Sequence, residues 1–185
     1  MSKTPSNMLQ LGTEAPLFSL DNVVTNTTYT LKPSANRKGL VVMFICNHCP
    51  YVKHVNSELV RLANHYQPKG IECVAINSND VEKYPQDSPD NMVLTAKEQQ
   101  YPFPYLFDNT QEVAKAYKAA CTPDFYLFDS NLSLVYRGQL DDSRPGNDIP
   151  VTGEFLRQAC DQLLAGQPIT VTQKPSLGCN IKWKS

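Results

Sequence analysis

Much that would narrow the function of these 185 residues is absent. A bulk charge is absent: 17 Lys and Arg stand against 18 Asp and Glu, for a net charge of −1. That removes the electrostatic case for nucleic acid or an anionic membrane as a partner. No segment approaches the roughly 18 consecutive apolar residues of a membrane helix. Near the amino end, Gln10, Gly12, Thr13, Glu14 and Pro16 break up the run of about 7–15 apolar residues that a secretory signal needs. Internal repeats and low-complexity stretches are absent too. The expectation is one domain spanning residues 1–185, located in the cytoplasm, with no nucleic-acid and no membrane partner. A chain of this length buries roughly 70% of its unfolded surface and folds without staples.

Six cysteines are the one unusual feature of the composition. A reducing cytoplasm disfavours an array of structural disulfides. Three roles remain: catalyst, metal ligand or core filler.

Strand and helix signals alternate along the chain. Gly39 to Cys46 is a continuous apolar run of β-branched character, as in a strand buried on both faces. Val52, Val55, Leu59, Leu62 and Tyr66 then recur at spacings of three and four, one apolar stripe on a helix of about four turns. Gly70 closes that helix, and Ile71 to Ile76 reads as a second buried strand, parallel to the first by the βαβ rule. Asn77 to Asn91 is polar and long for a plain connection, which marks it as a candidate functional loop. Met92 to Gln99 reads as a short helix and Tyr105 to Phe107 as a short strand. Asn109 with Glu112 resembles a capping box, opening a helix with Val113, Ala116, Tyr117 and Ala120 on one face. Phe125 to Phe128 and Leu134 to Tyr136 form a hairpin. A final helix carries Phe155, Leu156, Ala159, Cys160 and Leu163, with Gly166 at its end. Weak strand signals lie near Phe18 and Tyr29. The pattern implies an α/β fold: a mixed central β-sheet flanked by helices, with an N-terminal β extension and a C-terminal tail over 167–185.

Cys46-Asn47-His48-Cys49-Pro50 falls where the first buried strand gives way to the helix. A helix N-terminus offers unpaired N–H groups and the positive end of a dipole, and both favour a thiolate. His48 between the thiols can add positive charge or a hydrogen bond and so tune their acidity. Pro50 suits the first helical turn, where its missing N–H costs nothing, and it holds Cys49 in an extended conformation. Such a pair points to redox chemistry that uses the dithiol itself, with no cofactor. Half of a zinc site is the rival, but no second Cys-x-x-Cys pair exists in the chain.

The strand-CNHCP-helix junction, Cys121-Thr122-Pro123-Asp124, PYLFD at 104–108 and PSLGCNIKWK at 175–184 together resemble the thioredoxin-like superfamily, in its redoxin (AhpC/TSA, peroxiredoxin-like) branch. The resemblance implies a thioredoxin-like fold and a thiol–disulfide oxidoreductase. It implies that Pro123 is cis and faces the dithiol, and that the Thr122 backbone pairs with a substrate strand. Cys46 would attack and Cys49 would resolve. Protein or small-molecule disulfides or peroxides would be the substrates, with a thioredoxin or glutathione system as electron donor. An alternative within the branch is an antioxidant thiol peroxidase with Cys49 as the peroxidatic residue. Against it, Cys46 and Val42 stand where that motif has a Thr or Ser and a Pro, and Pro123 stands near the place of its activating arginine. Against the thioredoxin order, Ile45 replaces a tryptophan and Leu40 a buried carboxylate.

Cys121 and Cys179 are possible additional redox thiols, and either could equally be inert. With Cys46 and Cys49 they make a conceivable four-thiolate zinc set on a non-enzymatic scaffold. Cys73, in a strand, and Cys160, on an apolar helix stripe, read as core fillers. His54 and His65 lie off the helix stripe and read as solvated. Asp80, Glu82, Asp87 and Asp90 lack the EF-hand spacing and read as a solvated loop. The tail holds too few apolar residues for a core element.

Overall fold

The computed structural model describes residues 3–185. In chain order the elements are β1 (Lys3–Pro5), β2 (Ser19–Asn22), β3 (Thr27–Thr30), β4 (Gly39–Phe44), α1 (Pro50–Tyr66), β5 (Ile71–Asn77), α2 (Pro89–Gln99) and β6 (Tyr105–Phe107). They continue with α3 (Glu112–Ala116), β7 (Cys121–Thr122), β8 (Asp124–Asp129), β9 (Leu134–Gly138), α4 (Glu154–Leu164) and β10 (Leu177–Asn180). A seven-stranded mixed sheet runs β3-β2-β6-β5-β4-β8-β9, and a second sheet runs β1-β10-β7. In the larger sheet β4 pairs parallel with β5 and antiparallel with β8.

Strand β4 is buried at every residue because helices cover both sides of it. Its side chains alternate between two apolar clusters, as the two-residue period of a strand requires. Val41, Met43 and Ile45 join α1 and α4 on one face. Leu40, Val42 and Phe44 join Val113, Ala114 and Tyr117 on the other. The α1 stripe of Val52, Val55, Leu59 and Leu62 is buried as its spacing predicts. Each such side chain contributes roughly 1.5–3 kcal/mol by leaving water. The stripe fixes α1 against β4 and so fixes the turn between them.

Two local expectations need correction. The third helix does not use Asn109 as its cap. Gln111 is the residue before it, in a left-handed conformation (φ 64°), and makes no side-chain cap. The buried carboxylate of Asp108 accepts the N–H groups of Val113 (3.4 Å) and Ala114 (2.9 Å) instead. That helix is short, and Ala116 faces solvent while Ala114 is buried.

The larger correction is the tail. Leu177–Asn180 is strand β10, antiparallel to β1 on one side and to β7 on the other. Backbone pairing, which hydropathy does not report, holds it there. Gly178 makes the approach possible: a Cβ at this position would lie 1.9 Å from the Thr122 carbonyl oxygen. Cys179 and Ile181 are buried, while Trp183 is 40% exposed.

Candidate active site

Strand β4 delivers the chain to a turn, Ile45 to Cys49, at the N-terminus of α1. Ile45 N–H still donates to the Ile76 carbonyl of β5 (3.0 Å), so the strand holds the turn up to that point. Cys49 is the residue before the helix, extended at φ −67°, ψ 123°, as a residue preceding proline must be. Its carbonyl accepts the first helical N–H groups, from Val52 (3.1 Å) and Lys53 (3.0 Å). The Cys49 sulfur therefore sits at the positive end of a 17-residue helix.

The two thiols hydrogen-bond each other, and their acidities diverge. The hydrogen bond from Cys46 is the main reason that Cys49 is lowered to about 5. Burial opposes this, while Cys179, the Val52 N–H and Thr122 assist it. Cys46 is pushed well up by the same pairing, then by burial and by the negative charge of Asp87. Thr122 reaches both: its hydroxyl is 3.5 Å from Cys46 Sγ, and its carbonyl oxygen is 3.3 Å from Cys49 Sγ. The Thr122–Pro123 peptide bond is cis.

Cys179 also belongs to this centre. Its Sγ lies 2.7 Å from Cys49 Sγ. Burial and the neighbouring Cys49 push the Cys179 thiol up to about 12. Cys46, Cys49 and Cys179 are exposed by 1%, 0% and 3% respectively, so nothing larger than a small molecule meets these sulfurs while β10 is docked.

Asp87 is the residue that sequence reasoning missed. It is fully buried, not solvated. One carboxylate oxygen accepts the N–H of Asn47 (2.8 Å) and of His48 (3.2 Å). The other meets His48 Nδ1 (2.5 Å) and the side-chain amide of Asn79 (2.8 Å). Burial works against its ionisation, but the bonds from His48, Asn79 and Asn47 prevail and hold its carboxyl below the usual range. The 77–91 loop thus folds back as the cradle of the CNHC turn, and Tyr105 OH adds a bond to Asn47 Oδ1 (2.8 Å). The only signal for this in the sequence was the length of the polar loop. His48 spends its Nδ1 on Asp87, and its ring stacks on Tyr84 at 5.8 Å.

The remaining candidates divide by position. Cys121 is buried with its thiol 3.7 Å from the Pro123 carbonyl, and burial raises its pKa far above the ordinary value. Cys73 is raised to about 12 by burial and Cys160 well above normal for the same reason. A buried carboxyl, Asp124, follows Pro123 and is raised to about 8 by desolvation, which its bond from Tyr126 OH (3.1 Å) only partly offsets. His65 is exposed, whereas His54 is half-buried and bonded to Ser143 Oγ (2.7 Å). Donor atoms of Cys46, His48 and Asp87 lie within 4.8 Å of one another, close enough for a divalent metal. Both Asp87 oxygens are already engaged by the turn, so a metal would compete with the bonds that shape it.

The family model described as the AhpC/TSA family matches residues 11–137. The chain belongs to the AhpC/TSA family. Proteins of this family work through their own cysteines, without a cofactor. Among curated proteins none matches the sequence. A solved structure of an uncharacterized conserved protein from Geobacillus kaustophilus is 62% identical, with a TM-score of 0.97 over 100% of this chain and 97% of that one. A hypothetical protein from Sinorhizobium meliloti is 46% identical, with a TM-score of 0.95 over 98% of this chain and 99% of that one. The thioredoxin domain of a thiol-disulfide oxidoreductase from Bacteroides vulgatus shares 16% identity at a TM-score of 0.61, over 72% of this chain and 91% of that one. At that identity it shows the thioredoxin-like fold alone. The tail that carries Cys179 lies beyond the residues matched by the family model.

Proposed function

We propose that this AhpC/TSA-family protein is a thiol–disulfide oxidoreductase whose redox pair is Cys46 and Cys49, with Cys49 as the attacking thiolate. One observation carries the reading: two buried thiols stand at a helix N-terminus beside the cis Thr122–Pro123 bond, with Cys49 at the helix cap, where the positive end of the dipole favours a thiolate. Thiolate is the nucleophile in disulfide exchange, and a low pKa also makes a thiol a good leaving group. This order reverses the one that the thioredoxin resemblance implies, in which Cys46 attacks. Cys46, protonated and adjacent, is the natural resolver. Disulfides are the substrates in this reading, and a thiol system in the cytoplasm is the electron donor.

The test is trapping. A Cys46→Ser/Cys179→Ser protein should accumulate a mixed disulfide on Cys49 when offered oxidised glutathione, and a Cys49→Ser protein should not. Trapping on Cys46 instead would restore the opposite order. No trapping on either residue, with the fold intact, removes the proposal.

The burial of the Cys46 and Cys49 sulfurs beneath β10 favours a second reading, a thiol peroxidase at Cys49, because a small peroxide enters where a protein strand does not. It requires peroxide consumption with a dithiol donor and a sulfenic acid on Cys49 in the Cys46→Ser/Cys179→Ser protein.

A further inference from the structure

Strand β10 does what a bound peptide does in β-augmentation: it adds to a free strand edge by main-chain bonds and presents a side chain to a site. Its register places Cys179 opposite Thr122, the residue whose carbonyl and hydroxyl contact the dithiol. The segment is tied on both sides of the contact. Ser176 Oγ donates to the Pro123 carbonyl (2.5 Å), and Ile181 N–H donates to the Ala120 carbonyl (3.0 Å). Further on, Asp80 N–H donates to the Lys182 carbonyl (2.8 Å), and Lys182 N–H donates to Asn79 Oδ1 (2.9 Å). Asn79 also bonds Asp87, so one side chain joins the tail to the cradle of the CNHC turn. The Lys182 ammonium lies 5.6 Å above the Tyr84 ring, which stacks on His48.

We propose that the C-terminal strand is an internal substrate of the dithiol, and that Cys179 exchanges with Cys46 for a disulfide to Cys49. This rests on the redox-pair reading of Cys46 and Cys49. In the step, the Cys179 thiolate attacks Cys49 Sγ of the Cys46–Cys49 disulfide. A Cys49–Cys179 bond forms and the Cys46–Cys49 bond breaks, its electron pair going to Cys46. The proton that left Cys179 ends on Cys46. No oxidant or reductant is consumed, since the disulfide only changes partners. Formation of the first disulfide removes the Cys49 charge and hydrogen bond that help raise the Cys179 pKa, and the lowering influence of Lys182 remains. The second disulfide clamps β10 covalently over the edge that an external strand needs, and reduction returns it to the backbone pairing that holds it in the thiol form.

Disulfide mapping of the full-length protein after treatment with oxidised dithiothreitol tests this. Wild type should yield both Cys46–Cys49 and Cys49–Cys179 linkages. Cys46→Ser should yield an intramolecular Cys49–Cys179 bond, and Cys179→Ser only Cys46–Cys49. Gly178→Ala, which pushes β10 off Thr122, should lower the Cys49–Cys179 share by about tenfold while Cys46–Cys49 still forms. If wild type forms Cys46–Cys49 but Cys46→Ser keeps Cys49 and Cys179 as thiols or links them between chains, the internal-substrate proposal is overturned and the redox-pair reading survives. If no linkage involving Cys49 appears in any variant, both fall.

Discussion

Cys49 and Cys179 are separated by 130 positions in the chain, yet their sulfurs lie 2.7 Å apart. The turn that leads into α1 supplies one and strand β10 supplies the other. The contact makes a centre of three thiols out of what the CNHC turn alone would make a centre of two.

The acidity of Cys49 depends first on Cys46. Cys46→Ala removes the hydrogen bond that contributes most to its low pKa. Thiolate absorbance near 240 nm, followed against pH, should show a transition near pH 5 in wild type. That transition should move up by at least about one unit in the variant, toward the ordinary cysteine value near 8.5. An unmoved transition would show that the helix end, not the neighbouring thiol, sets the acidity.

Asp87 accepts four contacts inside the protein, three from the CNHC turn and one from Asn79. Asp87→Ala leaves those donors buried and unpaired, and it should lower unfolding stability by about 3–5 kcal/mol in urea titration. Asp87→Asn keeps most of the shape and removes the charge that raises Cys46. Its thiol titration should place Cys46 lower than in wild type. The stability that the Asp87 carboxylate contributes in wild type is present above the unfolded carboxyl pKa and is lost as pH falls through its depressed folded value.

Asp124 has the opposite sign. Its folded pKa is raised to about 8 from 3.8, so between those values the folded chain binds a proton that the unfolded chain has released. Stability contributed at this position therefore falls as pH rises from about 4 to about 8 and is flat beyond. Asp124→Asn should flatten that slope and raise stability at pH 8 by a few kcal/mol, as seen in denaturation series across pH. A slope identical to that of wild type would remove the assignment.

Gly178→Ala places a methyl group against the Thr122 carbonyl, 1.9 Å away, and β10 cannot stay in register. The thiols of Cys46 and Cys49 should then react with iodoacetamide at least about tenfold faster than in wild type, since local opening governs their access. Equal rates would mean that the strand does not shield them.

The elements that lie on one sequence-local pattern were legible. Gly39–Phe44, the Val52-Val55-Leu59-Leu62 stripe and Ile71–Ile76 declared themselves because burial there is a matter of side-chain periodicity. The place of the Cys46–Cys49 turn at a helix start was legible for the same reason, since its neighbours put it there. What was not legible is what arrives from far away in the chain. Asp87 looks like one acid among several in a polar loop, and only the fold turns it inward. Cys179 sits in a stretch with little apolar character, and main-chain pairing with β7, not hydropathy, buries it. The Asn109–Glu112 pattern imitated a capping box, but Asp108, made reachable by the left-handed Gln111, takes that role.

Trp183, the one tryptophan of the chain, stands four positions beyond Cys179 and is partly open to solvent. Undocking of β10 would carry its indole away from the protein surface, and clamping would hold it there. The intrinsic emission of the unlabelled protein is therefore an optical gauge of the tail, and its colour and intensity can be read against redox poise without attaching a dye.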